Sequence, residues 1–246
     1  MWKNLYQKTI YEIYKSKEFL GYKIFEFEKM FVILWNDQQM YYYNMAHAQN
    51  FGKNELTSVQ KNIPDTYMCV ASSNAVDDDS LPLKKGTPSY LMILNAQNKI
   101  EENAPFKISR VTNQKTVSDF CDVITDVYNK KEDRELLIDY FTKELGLENC
   151  FRYVGYIDNK PAGAVEFSEG KEAACVSWGA VKEEFRKRGL YKAMFAHAIN
   201  NEIDRGINTI VLNSSEMGRQ IYLKMGFVPL ANRHNYVLEN ITPLLR

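Results

Sequence analysis

The sequence predicts an α/β (α+β) fold: a mixed, mostly antiparallel sheet flanked by helices, preceded by an additional N-terminal α/β domain. Two observations carry this. From Phe106 onward the apolar patterning reads strand, two helices, three strands, helix, strand, helix, strand, with period-2 and period-3.6 segments alternating. Ahead of it, another mixture of strand-like and helix-like segments ends at Asn95–Pro105, N-A-Q-N-K-I-E-E-N-A-P. That polar stretch closing on proline has the composition of a domain linker. The expected domains are residues 1–97 and 98–246.

A chain of 246 residues can bury one large core or two modest ones. Lysine plus arginine and aspartate plus glutamate balance at 31 each, so no global charge draws it to nucleic acid or to an anionic membrane. Cys69, Cys121, Cys150 and Cys175 lack C-x-x-C spacing and sit in apolar or amphipathic runs, as reduced core thiols do. The opening residues M-W-K-N-L-Y-Q-K-T-I contain no apolar signal core, and no apolar run is long enough to cross a bilayer. A cytoplasmic protein is expected.

In chain order, Leu5, Tyr6, Ile10, Ile13 and Tyr14 recur at helical spacing within residues 2–17. Residues 22–28 alternate and 30–35 are continuously apolar, both strand patterns, and 40–46 continue them. A short helix is expected over 55–63 before Pro64, then a strand over 67–71. Residues 74–86 read as a surface turn with a helical start; its run Asp77, Asp78, Asp79 lacks the alternation of a calcium loop. A strand over 89–94 closes this part. After the linker come a strand over 106–111, helices over 118–128 and 133–145, and strands over 150–157, 162–167 and 174–181.

The strand Ala174–Val181 leads into V-K-E-E-F-R-K-R-G-L-Y, and Leu190, Met194 and Ala198 with Phe195, Ile199 and Ile203 mark the buried face of the helix that follows. Where that helix begins stand Arg186, Lys187, Arg188 and Gly189. The first N–H groups of a helix lack internal acceptors and carry the positive end of its dipole. Glycine lets a phosphate approach them, and arginines add attraction. The turn reads as an anion cradle, although an ordinary βα connection with solvated arginines has the same pattern. Downstream, residues 209–212 read as a short buried strand, and Ser215–Phe227, S-E-M-G-R-Q-I-Y-L-K-M-G-F, as a second short helix ended by Gly226. Val228–Leu238 supplies the last strand.

With both motifs in view, the chain resembles the GNAT superfamily of acyl-CoA-dependent N-acyltransferases. Arg186, Gly189, Leu190, Ser215, Tyr222, Gly226 and Phe227 carry the resemblance, which covers the chain from about Phe106 onward. Tyr191 stands where the family's loop usually has its second glycine or alanine, Glu183 where it often has proline, and Ser215 where it often has asparagine. The resemblance implies a GNAT-like sheet, acetyl-CoA as co-substrate without a metal, and a primary amine, chiefly of a small molecule, as acceptor. It implies that Ala180 and Val181 pair with the pantetheine amides. The N–H groups of Arg188, Gly189, Leu190, Tyr191 and Lys192 would hold the pyrophosphate, with Arg186 and Lys187 in reach.

Tyr222 matches the family tyrosine beside the CoA sulfur. A phenol titrating near pH ~10 stays protonated at neutral pH and can donate to a thiolate; the same ring can pack its helix on the sheet. Ser215 contacts cofactor or caps its helix. Glu166 is the candidate base if its strand register turns it to the substrate; a water chain is the alternative. Trp178 and Tyr236 suit an acceptor wall or the core, and His197 packing or surface. Rival readings are a non-catalytic acyl-CoA sensor and an interaction protein.

Overall fold

The computed structural model describes residues 5–35, 44–63, 68–102 and 105–238. Its described residues group into two units, Ile93–Leu212 and Met1–Met92 with Asn213–Arg246.

In the first unit the period-2 patterning of residues 150–181 becomes a meander of β8 (Cys150–Ile157), β9 (Lys160–Glu169) and β10 (Ala174–Val181), all antiparallel. The turn between β8 and β9 has Asp158 and Asn159 at φ 50° and 60°. These are residue types that tolerate the left-handed region, and two such residues give the turn whose twist matches the strands. β7 (Lys107–Arg110) lies antiparallel to β8, and β11 (Thr209–Ser214) runs parallel to β10.

Side-chain parity separates the two faces. A Cβ on Gly155 or Gly163 would come within 2.6 or 2.7 Å of Met194 Sδ on α5 (Leu190–Asp204). The Tyr153 ring meets His197 of the same helix edge to face at 5.3 Å. Arg152, by contrast, lies over the ring of Phe141 on α4 (Arg134–Lys143), and Tyr156 donates to Asp119 of α3 (Gln114–Val127) at 2.8 Å. One face is thus covered by α5 and the other by α3 and α4. α3 begins four residues before the expected start because Asn113 caps it, accepting from Thr116 N–H at 3.0 Å.

The second unit holds α1 (Leu5–Lys15), β1 (Tyr22–Glu26), β2 (Met30–Trp35), β3 (Met45–Ala48), α2 (Lys53–Asn62), β4 (Met68–Ser72), β5 (Leu83–Lys85), α6 (Glu216–Lys224) and β12 (Val228–Leu238). Its strand order is β1-β2-β3-β4-β12, with β5 also on β12; only β3 and β4 are parallel. Met30, Val32, Val59, Met68, Val70 and Leu238 lie in its core. There the His47 ring stacks on Phe31 at 4.8 Å and accepts from Arg233 Nη2 at 3.1 Å. Burial, then the arginine's charge, holds the His47 pKa well below the usual imidazole value. Tyr236 is 5% exposed and its hydroxyl accepts from Val76 N–H at 2.8 Å, so of its two expected roles it takes packing.

Three expectations change. The strand expected over 40–46 is β3, Met45–Ala48, with residues 40–43 outside the described residues. The turn at 74–86 contains β5. And the polar stretch 95–105 does not behave as a loose linker over its described part. β6 (Ser89–Asn95) enters it, and residues beyond are strapped along α5. Asn200 pairs with the Ile100 backbone in both directions, Nδ2 to O at 2.8 Å and Ile100 N to Oδ1 at 2.7 Å, and Nδ2 also reaches Glu102 at 2.7 Å. Lys99 pairs with Asp204 at 2.6 Å, and Glu102 with His197 at 3.0 Å. The expected division at 97/98 falls near one unit junction, Met92/Ile93. The other junction, after Leu212, groups residues 213–246 with the N-terminal ones.

Glu202 of α5 is buried in the first unit, where its carboxyl is within hydrogen-bond reach of the Glu169 carboxylate. Desolvation, with the Glu169 carboxylate added, pushes its pKa up to about 9. Unfolded, it would release its proton near pH ~4.3. Between those values the folded state binds the extra proton, so stability falls as pH rises through this window. Glu202→Gln keeps the shape and removes the titration. The loss of melting temperature between about pH 5 and pH 9 should be smaller in the variant than in the parent, measured by thermal unfolding across pH.

Candidate active site

β10 lies between two strands, yet among the described residues its ladder with β11 covers only Ala174–Val176. The register to β9 shifts between Val176 and Trp178, a bulge at Ser177 that leaves this residue exposed. Past the bulge, β10 stays paired with β9, and no ladder to β11 is described there.

Hydrogen-bond phase decides which backbone groups face the opening. Lys182 N–H donates to Ala162 C=O at 2.9 Å. In an antiparallel ladder, alternate residues exchange bonds with one neighbour and the intervening ones point the other way. Ala180, opposite Ala164, therefore addresses β9, and Gly179 and Val181 address the opening. Of the expected pair, Val181 fits and Ala180 is replaced by Gly179. Both outward carbonyls hold a side-chain donor: Tyr128 Oη donates to Gly179 O at 3.1 Å, and Arg186 Nε to Val181 O at 3.1 Å.

The turn into α5 keeps Arg186, Lys187, Arg188 and Gly189 exposed. Lys187 and Gly189 are both left-handed, φ 64° and 86°, and such residues turn successive N–H groups to the concave side of a loop. Gly189 is the N-cap, so no side chain covers the helix end, and a Cβ there would meet nothing within 4 Å. The first in-helix bond is Ala193 N–H to Gly189 C=O, 3.1 Å, placing Leu190, Tyr191 and Lys192 among the positions whose N–H groups a helix does not itself satisfy. Lys192 is exposed and Leu190 is buried against the sheet. Tyr191 turns inward: its ring packs on Phe195 at 4.7 Å, and its hydroxyl lies 2.4 Å from where a Cβ on residue 179 would stand. Gly179 is what admits a tyrosine at this loop position. An open glycine cap, cationic side chains and a half-paired strand beside them fit an acyl-CoA.

Glu166 is a correction. It is 3% exposed on the α3/α4 side, and its Oε2 accepts from Arg152 Nε at 2.5 Å, while Arg152 Nη2 pairs with Glu144. A carboxylate committed to a buried guanidinium does not serve as a poised base. Glu144, Cys150 and Glu166 also form the set of acidic and thiol side chains close enough to share an ion among the described residues, but Arg152 already supplies the cation there.

Ser215 and Tyr222 belong to the other unit. Ser215 caps α6, its Oγ accepting from Gly218 N–H at 3.2 Å. Tyr222 is 7% exposed and packs edge to face on Phe227 at 5.5 Å. The capping and packing roles are therefore both present.

Comparison with known proteins agrees with this arrangement. Residues 129–237 match the acetyltransferase (GNAT) domain family. This stretch, under half of the chain, is similar to a GNAT acetyltransferase domain. Solved structures of similar fold include a functionally unknown conserved protein from Staphylococcus epidermidis ATCC 12228, at 17% identity and TM-score 0.67 over 89% of this chain and 94% of that one. A GCN5-related N-acetyltransferase from Kribbella flavida superposes at TM-score 0.67 with 12% identity, over 93% and 96% of the two chains. A GCN5-related N-acetyltransferase-like protein from Streptococcus suis 89/1591 gives 0.59 with 12% identity over 92% of each. At these identities the likeness is one of fold. No curated protein matches the chain. Acyl transfer from acyl-CoA is the chemistry of the matched domain family, and no helix among the described residues is long and apolar enough to cross a membrane.

The sequence missed Gly179 and Tyr128. The G in S-W-G-A, opposite a tyrosine at the second helical residue, was a usable sign for the first; nothing local signals the second. Breaking a buried ion pair typically costs about 3–5 kcal/mol. Glu166→Gln should accordingly lower unfolding free energy by several kcal/mol, read by denaturant titration, while any acyl-CoA-dependent turnover per folded molecule keeps the parent pH profile.

Proposed function

We propose that the chain transfers the acetyl group of acetyl-CoA to a primary amine, chiefly of a small molecule. The observation that carries this is the GNAT domain's half-paired strand beside the open, cationic start of α5. One extended chain can add to the outward groups of Gly179 and Val181 as a strand would. The N–H groups at the start of α5 and the side chains of Arg186, Lys187 and Arg188 are the pyrophosphate partners. Acyl-CoA supplies an activated thioester; the amine nitrogen bonds the acyl carbon, the C–S bond breaks, and the thiolate takes a proton.

Tyr222 donates that proton in this reading, supported by its place seven residues after Ser215 and four before Gly226. Ser215 caps α6 and keeps a hydroxyl proton to offer the cofactor. With Glu166 committed to Arg152, the acceptor's proton leaves through water.

Replacing Gly189 with Glu puts a carboxylate where the pyrophosphate belongs. Saturating acetyl-CoA should raise the parent's melting temperature and leave the variant's almost unmoved; equal shifts would remove the site. Tyr222→Phe keeps the ring and deletes the donor. Its single-turnover rate should fall ~10²–10⁴-fold with acetyl-CoA affinity little changed. A parent-like rate would make Tyr222 a packing residue, and a parent that binds acetyl-CoA without turning over any amine would favour an acyl-CoA sensor.

A further inference from the structure

The face of β10 opposite α5 carries an aromatic corner that acyl transfer, as described, leaves without a task. Tyr128 caps the end of α3, and Trp178 lies on β10. Their rings meet edge to face, 5.2 Å between centres and 73° between planes. The Tyr128 bond to the outward Gly179 carbonyl fixes this corner beside the bulge. Two pantetheine amides paired along Val181 and Gly179 would bring the thioester to that same point, since each strand residue advances ~3.3 Å. Tyr128 is 44% exposed and Trp178 half-buried, so the rings form a solvent-reachable wall and not a core contact alone.

Charge on this side is already spoken for. All three carboxylates of α3 are paired: Asp119 with Lys115 at 2.6 Å, Asp122 with Arg134 at 2.7 Å, and Asp126 with Lys131 at 3.1 Å. Glu166, across the ladder from Trp178, belongs to Arg152. A polycationic acceptor would have to displace a resident cation at each.

We infer that the acceptor amine is carried on an aromatic group that packs against Trp178 and Tyr128: an arylalkylamine, in preference to a polyamine or an amino sugar. This deepens the proposed acetyl transfer and rests on it. Ring-on-ring contact orients the acceptor beyond what its buried area alone would do, and the ring faces also attract the amine's protonated form as it arrives.

The test titrates 2-phenylethylamine, n-butylamine and spermidine into the protein with and without saturating CoA, by calorimetry, and follows CoA release from acetyl-CoA with the same amines. The parent should bind phenylethylamine roughly 10-fold tighter than the other two. Trp178→Ala should erase that preference, and Trp178→Phe, which keeps a ring, should retain most of it, each with circular dichroism confirming a folded chain. If Trp178→Ala does not fold, Tyr128→Ala at the exposed helix end tests the same wall. Equal affinity of the parent for the three amines, or a preference that survives loss of the ring, overturns the inference and leaves acetyl transfer standing. Phenylethylamine bound through Trp178 by a protein that ignores acetyl-CoA would instead overturn acetyl transfer and keep the aromatic wall.

Discussion

A strand inside a sheet that loses one neighbour partway along must still satisfy its backbone, because unpaired N–H and C=O groups away from water cost free energy. β10 is in this position from Ser177 onward, and the surrounding features follow from it. The bulge lies where the described ladder to β11 ends. The phase of the β9 ladder selects Gly179 and Val181 as the outward residues. Tyr128 from one face and Arg186 from the loop donate to their carbonyls. A strand so arranged is ready to accept an extended ligand, since a carbonyl has a second lone pair for another donor.

Rigidity around that strand comes from unlike sources on its two faces. On the α5 side it is steric: glycines at 155, 163 and 179 let Leu190, Met194 and Tyr191 sit directly on the backbone. On the other side it is electrostatic, with Arg152 held between Glu144 and Glu166 and lying over Phe141. A buried cluster of this kind adds little net stability over an apolar core, yet removing one member is expensive. It fixes the register of β8 against β9 and the end of α4, and for that reason it is a poor place for a base.

Much of the fold was legible because it is written in local patterns. The alternation of residues 150–181, the period of α5 and the glycines ending helices gave strands and helices close to those observed. The open glycine start of α5 was legible too, because a helix start, a glycine and arginines lie within one turn and need no distant partner. The capping of α6 by Ser215 was legible the same way, from its place just ahead of a single helix.

What the sequence by itself determined is therefore the order of elements and a resemblance to a superfamily over its C-terminal part. Only the tertiary structure decided what depends on pairs far apart in the chain. Arg152 claims Glu166 from 14 residues away, Tyr128 reaches Gly179 across 51, and Asn200 holds the stretch at Ile100 across 100. Residues 213–246 likewise group with residues 1–92 and not with their sequence neighbours. The physical reason is common to all four: periodicity tells which face a side chain takes, but a hydrogen bond or ion pair is set by the partner that folding brings opposite it.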